Sequence, residues 1–384
     1  MRSRLAVVLA VLAGLVVPLA CGATPAAAAG GTFAYVANRS SNSVSVIDTS
    51  SNTVAATVPV GSVPEGVAVS PSGAYAYVTN NGSNTVSVIN TATNTVTATI
   101  PVGSFPFGMA VSPSSAFVYV ANTGSNTVSV INTATNTVTA TIPVGSLPVY
   151  AAMSPSGAFV YVTNEISNTV SVISTATNTV TATVTVGSSP QGVAVSPSGA
   201  VVYVANNGSS SVSVINTSSN TVTATTTVGS FPYGVGVSLS GASVYVANYG
   251  SNSVSVINAS SNTVTATIAV GTNPQGLAVS PSGASVYTAN QGSNNVSVID
   301  TATNTVATTV SVGTGPIAVA VGALPATATA SCPTGSTLTG GGAQFTGPPP
   351  SNVSSQAVNN TWQVSYTNPS TQPISAVPYA VCSS

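Results

Sequence analysis

The sequence predicts an all-β fold: a seven-bladed β-propeller of four-stranded blades, followed by a small β module. Three observations carry this. The tetrad Tyr-Val-(Ala/Thr)-Asn begins at Tyr35, Tyr77, Tyr119, Tyr161, Tyr203 and Tyr245, and a seventh copy, Tyr-Thr-Ala-Asn, begins at Tyr287. Each start lies 42 residues after the last without insertion, and a period of about 40–45 residues is that of a propeller blade. Within each unit, short runs rich in Val, Thr and Tyr alternate with Asn, Gly and Pro-Ser-Gly clusters, a pattern of strands and turns rather than helices.

The second unit shows the elements in order. "GVAVS" (66–70) reads as the first strand and "SPSG" (70–73) as a turn. "YAYVTN" (75–80) is the second strand, and "NGSN" (81–84) turns again. "TVSVIN" (85–90) alternates polar and apolar residues as a half-buried strand does. "TATN" (91–94) is the next turn, and "TVTATIPVG" (95–103) the fourth strand. One such sheet cannot cover both its faces, so the blades must stack.

Ring closure follows from where the repeats begin and end. "TFAYVAN" (32–38) enters at the second strand, and "PIAVAV" (316–321) leaves as an unpaired first strand. Together they complete one composite blade. Closure shields strand edges that, uncharged and rich in Val and Thr, would otherwise pair between molecules.

These motifs, with "VSVIDT" and "PEGVAVSPSG", resemble the YVTN-type seven-bladed propeller repeats of bacterial and archaeal surface proteins, over residues 30–322. The resemblance implies a secreted or cell-surface propeller and carries little about activity. Two departures stand out. The family turn has Asp where "SPSG" has Ser, and only Asp48 and Asp300 keep the acid of "VID".

Composition narrows the function. Charged residues make up 2% of the chain: three Arg (Arg2, Arg4, Arg39) and four acids (Asp48, Glu65, Glu165, Asp300), with no Lys and no His. Nucleic acid needs clustered Lys and Arg and is excluded as a partner. Without His or Lys there is no Ser-His-Asp arrangement and no amine nucleophile, and zinc finds no imidazole. A hard cation held by Glu65, Glu165 and amide oxygens is the remaining catalytic design, and two blades separate these glutamates in sequence. No cofactor or metal site is therefore predicted. A lactonase-like or other metal-assisted propeller enzyme is the alternative to a non-enzymatic protein.

Residues 1–29 read as a signal peptide: Arg2 and Arg4, an apolar run from Leu5 to Ala20, and small residues before Gly30. Cleavage near Ala29 would discard Cys21, whereas a lipoprotein would keep it. Cys332 and Cys382 remain as an even pair suited to an oxidising exterior. Residues 323–331 read as a linker, and 332–384 as a small module enclosed by those cysteines. A bridge there would contribute about 4 kcal/mol through loop-closure entropy, and Trp362 reads as the module's core. This segment resembles C-terminal modules of secreted actinobacterial proteins.

The differences between copies point to one face. Antiparallel order puts the first-to-second and third-to-fourth loops on one side and the second-to-third and blade-to-blade loops on the other. The former repeat "SPSG" and "TATN" almost unchanged; the latter vary. The varying side carries Arg39, Glu65, Glu165 and Gln275, and the aromatics Phe105, Phe107, Tyr150, Phe231, Tyr233 and Tyr249. These are the candidate binding residues, at the mouth of a central channel. The bland counterpart is loop drift, with Phe105 or Phe231 plugging gaps between blades. Arg39 and Glu65 are expected to form an exposed salt bridge worth about 0–1 kcal/mol. The tetrad Tyr residues are expected in the core with satisfied hydroxyls, and the tetrad Asn residues on their own turns.

The expected protein is an exported, monomeric, non-enzymatic scaffold without a membrane span in its mature form. It would recognise a protein or glycan of the envelope or exterior through the variable face. A purely structural coat protein is the second alternative.

Overall fold

The computed structural model describes residues 31–324, 326–331, 337–346, 351–358, 361–367 and 375–383. Residues 31–324 carry seven four-stranded antiparallel sheets. Blade 1 is composite, as closure requires. Its strands run in the order Pro316–Ala323, Thr32–Asn38, Ser43–Asp48 and Thr53–Pro59. Blade 2 follows with Pro64–Val69, Tyr75–Asn80, Thr85–Asn90 and Thr95–Pro101. Blades 3 to 7 repeat this, with first strands Pro106–Val111, Pro148–Met153, Pro190–Val195, Pro232–Val237 and Pro274–Val279. First strands of adjacent blades pack side by side around the centre of the ring.

The core lies between blades. Val and Ile of one sheet interleave with those of the next. Tyr35, Val44, Val46 and Val58 of blade 1 meet Ala76, Val78 and Ile89 of blade 2. The same packing joins blade 7 to blade 1, where Tyr287, Val296 and Val298 meet Ala34, Val36 and Ile47. Ile47, Ile89, Ile131, Ile173, Ile215, Ile257 and Ile299 are all fully buried. Burying each contributes about 1.5–3 kcal/mol relative to exposure, so closure by the last seam matters as much as any other.

Turn chemistry explains the two departures from the surface-protein repeats. Within "SPSG", Ser72 Oγ lies 2.9 Å from Ser70 Oγ and accepts the Ala74 amide at 3.4 Å, Ser70 Oγ accepts the Tyr75 amide at 3.1 Å, and Gly73, at φ 72°, returns its amide to the Ser70 carbonyl. The hydroxyls thus close the turn without a carboxylate. Asp48 accepts the Ser50 amide at 2.8 Å, and Asn90 accepts the Ala92 amide at 3.0 Å in the same place. An amide oxygen serves there as well as an acid.

Two expectations about the tetrads need correction. The Asn residues do not cap their own turns. Asn38, fully buried, donates from Nδ2 to Ser43 Oγ at 3.2 Å and Ser45 Oγ at 2.9 Å on the neighbouring strand. Asn164 and Asn206 do the same in their blades. Burial makes each Nδ2 group find acceptors across the sheet, while Oδ1 of Asn38, Asn164 and Asn206 is buried without a partner. The Tyr rings are in the core, and Tyr119 and Tyr287 donate their hydroxyls to Asn178 and Asn52 of neighbouring blades. The Tyr35 hydroxyl, however, is buried without a partner.

A second compact unit holds the strands that follow the propeller. Ala326–Ser331 pairs with Thr361–Thr367, which pairs with Ser351–Val358. Thr337–Thr346 lies antiparallel to Ser375–Ser383. The segment read as the linker 323–331 therefore contains a strand: its alternating Ala and Thr extend and pair where a free linker was expected. Cys332 and the side chains of Cys382 and Trp362 lie outside what is described, as do residues 1–29 and Cys21. No helix among the described residues is long and apolar enough to cross a membrane.

Candidate functional site

Each first strand opens with Pro and then bulges. In blade 2, Pro64 pairs with Asn80 and Gly66 with Thr79, leaving Glu65 as the extra residue. Blades 3 to 7 show the same slip, between Pro106 and Met109 in blade 3. A bulge re-aims the side chains beside it. Here Glu65, Phe107, Val149, Gln191 and Tyr233, each following its Pro, line one cavity of 260 Å³. Arg39, Asn81, Phe105, Thr123, Leu147 and Glu165 from the adjoining loops complete the wall.

The residue before each Pro sits in left-handed backbone: Val63, Phe105, Leu147, Ser189, Phe231, Asn273 and Gly315, all at φ between 49° and 65°. Asn from the preceding blade latches this loop. Asn42 Oδ1 accepts the Val63 amide at 2.9 Å, and Asn84 Oδ1 the Phe105 amide at 2.8 Å. A bulky residue at positive φ is unusual, and strain of this kind collects where a loop is held for a purpose. Phe105 and Phe231 are each 52% exposed. They stand out from the rim and do not plug the gaps between blades.

One level deeper, Gly66, Gly108, Gly192, Gly234, Gly276 and Ala318 surround a narrower space of 140 Å³ with Tyr150. The glycines are required by close approach: a Cβ on Gly192 would lie 2.2 Å from the Tyr233 carbonyl oxygen, and one on Gly66 2.3 Å from that of Phe107. Tyr150 alone puts a large side chain at this level. Its ring meets Phe107 edge-on, centroids 5.3 Å apart at 79°. The Tyr150 hydroxyl is buried without a partner. Burial pushes its ionisation far above the usual tyrosine range, and the charges of Glu65 and Tyr233 add to this.

Arg39 and Glu65 form the one ion pair among the described residues, with Nε 2.9 Å from Oε1. It is not the exposed bridge expected from the sequence. The Arg39 side chain is 46% exposed, but that of Glu65 only 3%. The bulge at Pro64 turns the carboxylate inward, where loss of water outweighs the nearby guanidinium. Burial pushes the Glu65 carboxyl up to about 7, and Arg39 only partly opposes it. Glu65 Oε2 is buried and unpartnered.

The structure thus brings Arg39, Glu65, Phe105, Phe107, Glu165 and Tyr233 to one cavity, with Tyr150 beneath. Glu65 and Glu165, apart in sequence, share that cavity because the loops of different blades converge. Tyr249 packs on Tyr233, centroids 5.5 Å apart. Gln275 donates from Nε2 to Gln291 Oε1 at 2.8 Å, and its own Oε1 is buried without a partner. Phe231, Tyr249 and Gln275 are not among the cavity's lining residues.

Thr79 and Thr163 are positioning residues that sequence reasoning passed over. Thr79 Oγ1 accepts the Gly66 amide at 2.8 Å and donates to the Phe107 carbonyl of the next blade. Thr163 likewise accepts the Tyr150 amide at 3.1 Å and donates to the Gln191 carbonyl at 2.6 Å. The signal was the Ala/Thr alternation in the tetrads: Thr occurs at its third place only in blades 2 and 4. Those blades flank Phe107 and carry Glu65 and Tyr150.

Two solved structures illustrate what this chain resembles in fold. One is the hydrazine synthase of Kuenenia stuttgartiensis, 26% identical over 70% of this chain and 92% of that one, with a TM-score of 0.66. Another is a functionally unknown protein from Desulfotomaculum acetoxidans, 18% identical over 76% of this chain and 99% of that one, with a TM-score of 0.68. No curated protein matches the chain. The profile of the Virginiamycin B lyase family matches residues 21–299, more than two thirds of its length. With the seven closed blades and the loops converging at the channel mouth, the match makes this chain a member of the Virginiamycin B lyase family.

Proposed function

We propose that the chain is an exported binding protein that captures a group of a protein or glycan at the mouth of its channel. The single observation that carries this is the cavity lined by Glu65, Phe107 and Tyr233. In a chain almost without charges, it gathers one guanidinium, two carboxylates and three aromatic rings in 260 Å³. Small-molecule pockets usually enclose about 300–1,000 Å³. The cavity therefore suits one projecting group of a larger ligand, with the exposed rim residues Phe105 and Phe231 beside it.

The test is binding of the purified protein to envelope fractions and a glycan array, repeated with Phe105, Phe107, Phe231 and Tyr233 changed to Ala. Binding that survives those four changes sinks the reading. Self-association with no soluble partner would favour a coat protein instead.

A second reading is favoured by the family name and by one residue. A lyase-type elimination needs a base near its substrate. Glu65, with its carboxyl near 7, can accept a proton at neutral pH. Incubation with virginiamycin B, with and without divalent metal, tests this. Consumption of virginiamycin B that is lost in Glu65→Gln would establish the enzyme reading, and no turnover under either condition would remove it.

A further inference from the structure

We propose that the mouth cavity is specific for a primary ammonium group attached to an apolar body, with Glu65 Oε2 as the acceptor and the Phe107 and Tyr233 rings as the wall. This rests on the binding reading above and names the chemistry of the group taken.

Four features lead there. First, among the residues lining the two spaces, Glu65 Oε2 and the Tyr150 hydroxyl are buried without partners, and the carboxylate oxygen can only accept when ionised. Buried groups of this kind normally have partners, so the site lacks a donor, and a donor-rich ligand supplies it. An ammonium has three donors and no acceptor. Second, the cavity holds two carboxylates, Glu65 and Glu165, against one guanidinium, Arg39, leaving one uncompensated negative charge when both acids are ionised. Third, Arg39 engages only Oε1 of Glu65, through Nε, so the other oxygen is free for a second cation. Fourth, aromatic faces beside a carboxylate attract cations and cover an apolar body. A carboxylate or phosphate ligand would instead meet two acids against one guanidinium that is already paired with Glu65.

The groups facing Glu65 are Arg39, Glu165, Tyr150 and Tyr233. Burial brings the proton equilibrium of Glu65 to neutrality. Ammonium binding requires the ionised carboxylate, so affinity should rise from about pH 6 to about pH 8 and then level off.

The experiment is calorimetric titration of the full chain with phenethylamine, phenethyl alcohol and 3-phenylpropionate. These share a phenyl body and differ in the terminal group. The amine is expected to bind at least about tenfold more tightly than the alcohol, and the acid not at all. Glu65→Gln should reduce the preference for amine over alcohol by about tenfold, and Glu165→Gln, nearer the rim, by about threefold. Should Glu65→Gln fail to fold, Tyr150→Phe and the pH profile of the wild-type chain replace it. Equal binding of amine and alcohol, tighter binding of the acid, or an amine affinity unchanged between pH 6 and 8 overturns the proposal. So does failure of all three probes, while retention of envelope or glycan binding in that case leaves the broader binding reading standing.

Discussion

Glu65 and Arg39 sit 2.9 Å apart across the join of blades 1 and 2, yet one side chain is 3% exposed and the other 46%. An ion pair so unequally solvated does not behave as a surface bridge. The guanidinium keeps much of its water, and the carboxylate has lost nearly all of its own.

This asymmetry predicts how stability depends on pH. The folded-state carboxyl of Glu65 is raised from 4.5 to about 7, so between those values the folded chain holds a proton that the unfolded chain has released. The contribution of Glu65 to stability therefore falls as pH rises through that window and is constant on either side of it. Glu65→Gln does not titrate. Its stability relative to the wild type should improve by on the order of 3 kcal/mol between about pH 4 and about pH 8. Parallel denaturant titrations at the two pH values check this, and an unchanged difference would refute the burial account.

Val63 is β-branched and sits at φ 53° in the loop before Pro64. At the equivalent place, blades 7 and 1 use Asn273 and Gly315, which tolerate this backbone. Val63→Asn should stabilise the chain by about 1 kcal/mol. A lower melting temperature for this variant would mean that Val63 packs more than it strains.

Gly192 lies where a Cβ would come within 2.2 Å of the Tyr233 carbonyl. Gly192→Ala must push the first strands of blades 5 and 6 apart. It should cost at least about 1–3 kcal/mol and weaken ligand capture by displacing Tyr233. By contrast, Gly199→Ala, in a turn at φ 74° with 3.5 Å to its nearest neighbour, should destabilise through backbone strain alone and leave binding intact. Equal loss of binding in both would show that the ring of glycines does not set the mouth.

Thr226 occupies a buried place on the outer strand of blade 5 where the other blades have Val58, Ile100, Ile142, Val184, Ile268 and Val310. Its hydroxyl donates to the Asn262 carbonyl at 2.7 Å. Thr226→Ile restores the repeated apolar contact and forfeits that bond. The gain from added burial, about 0.8 kcal/mol per methylene, should about balance the loss of a neutral hydrogen bond, about 1 kcal/mol. A melting temperature within a few degrees of wild type is expected, and a large fall would show that the Asn262 carbonyl has no other partner.

The blades, their phase and the composite closure were readable directly from the 42-residue step, because each strand's alternation and each turn's residues are local matters. The varying face was readable too, since antiparallel order alone assigns every loop to a side. Glu65 was harder. Sequence places it next to Pro64 on a loop face, where an acid is usually solvated. Only the bulge at the head of the first strand turns it inward, and only curvature of the ring sets it in one cavity with Glu165. Tyr150 was visible as a break in a glycine pattern, yet its place under Phe107 required the neighbouring strand.

By itself, then, the chain of residues determined which segments extend, where they turn and how many stack before the ends meet. What the tertiary structure decided is which side chains from distant repeats share one small volume and how much water they lose there. Period and turn chemistry act between near neighbours, whereas desolvation and charge coupling depend on every blade that reaches the axis.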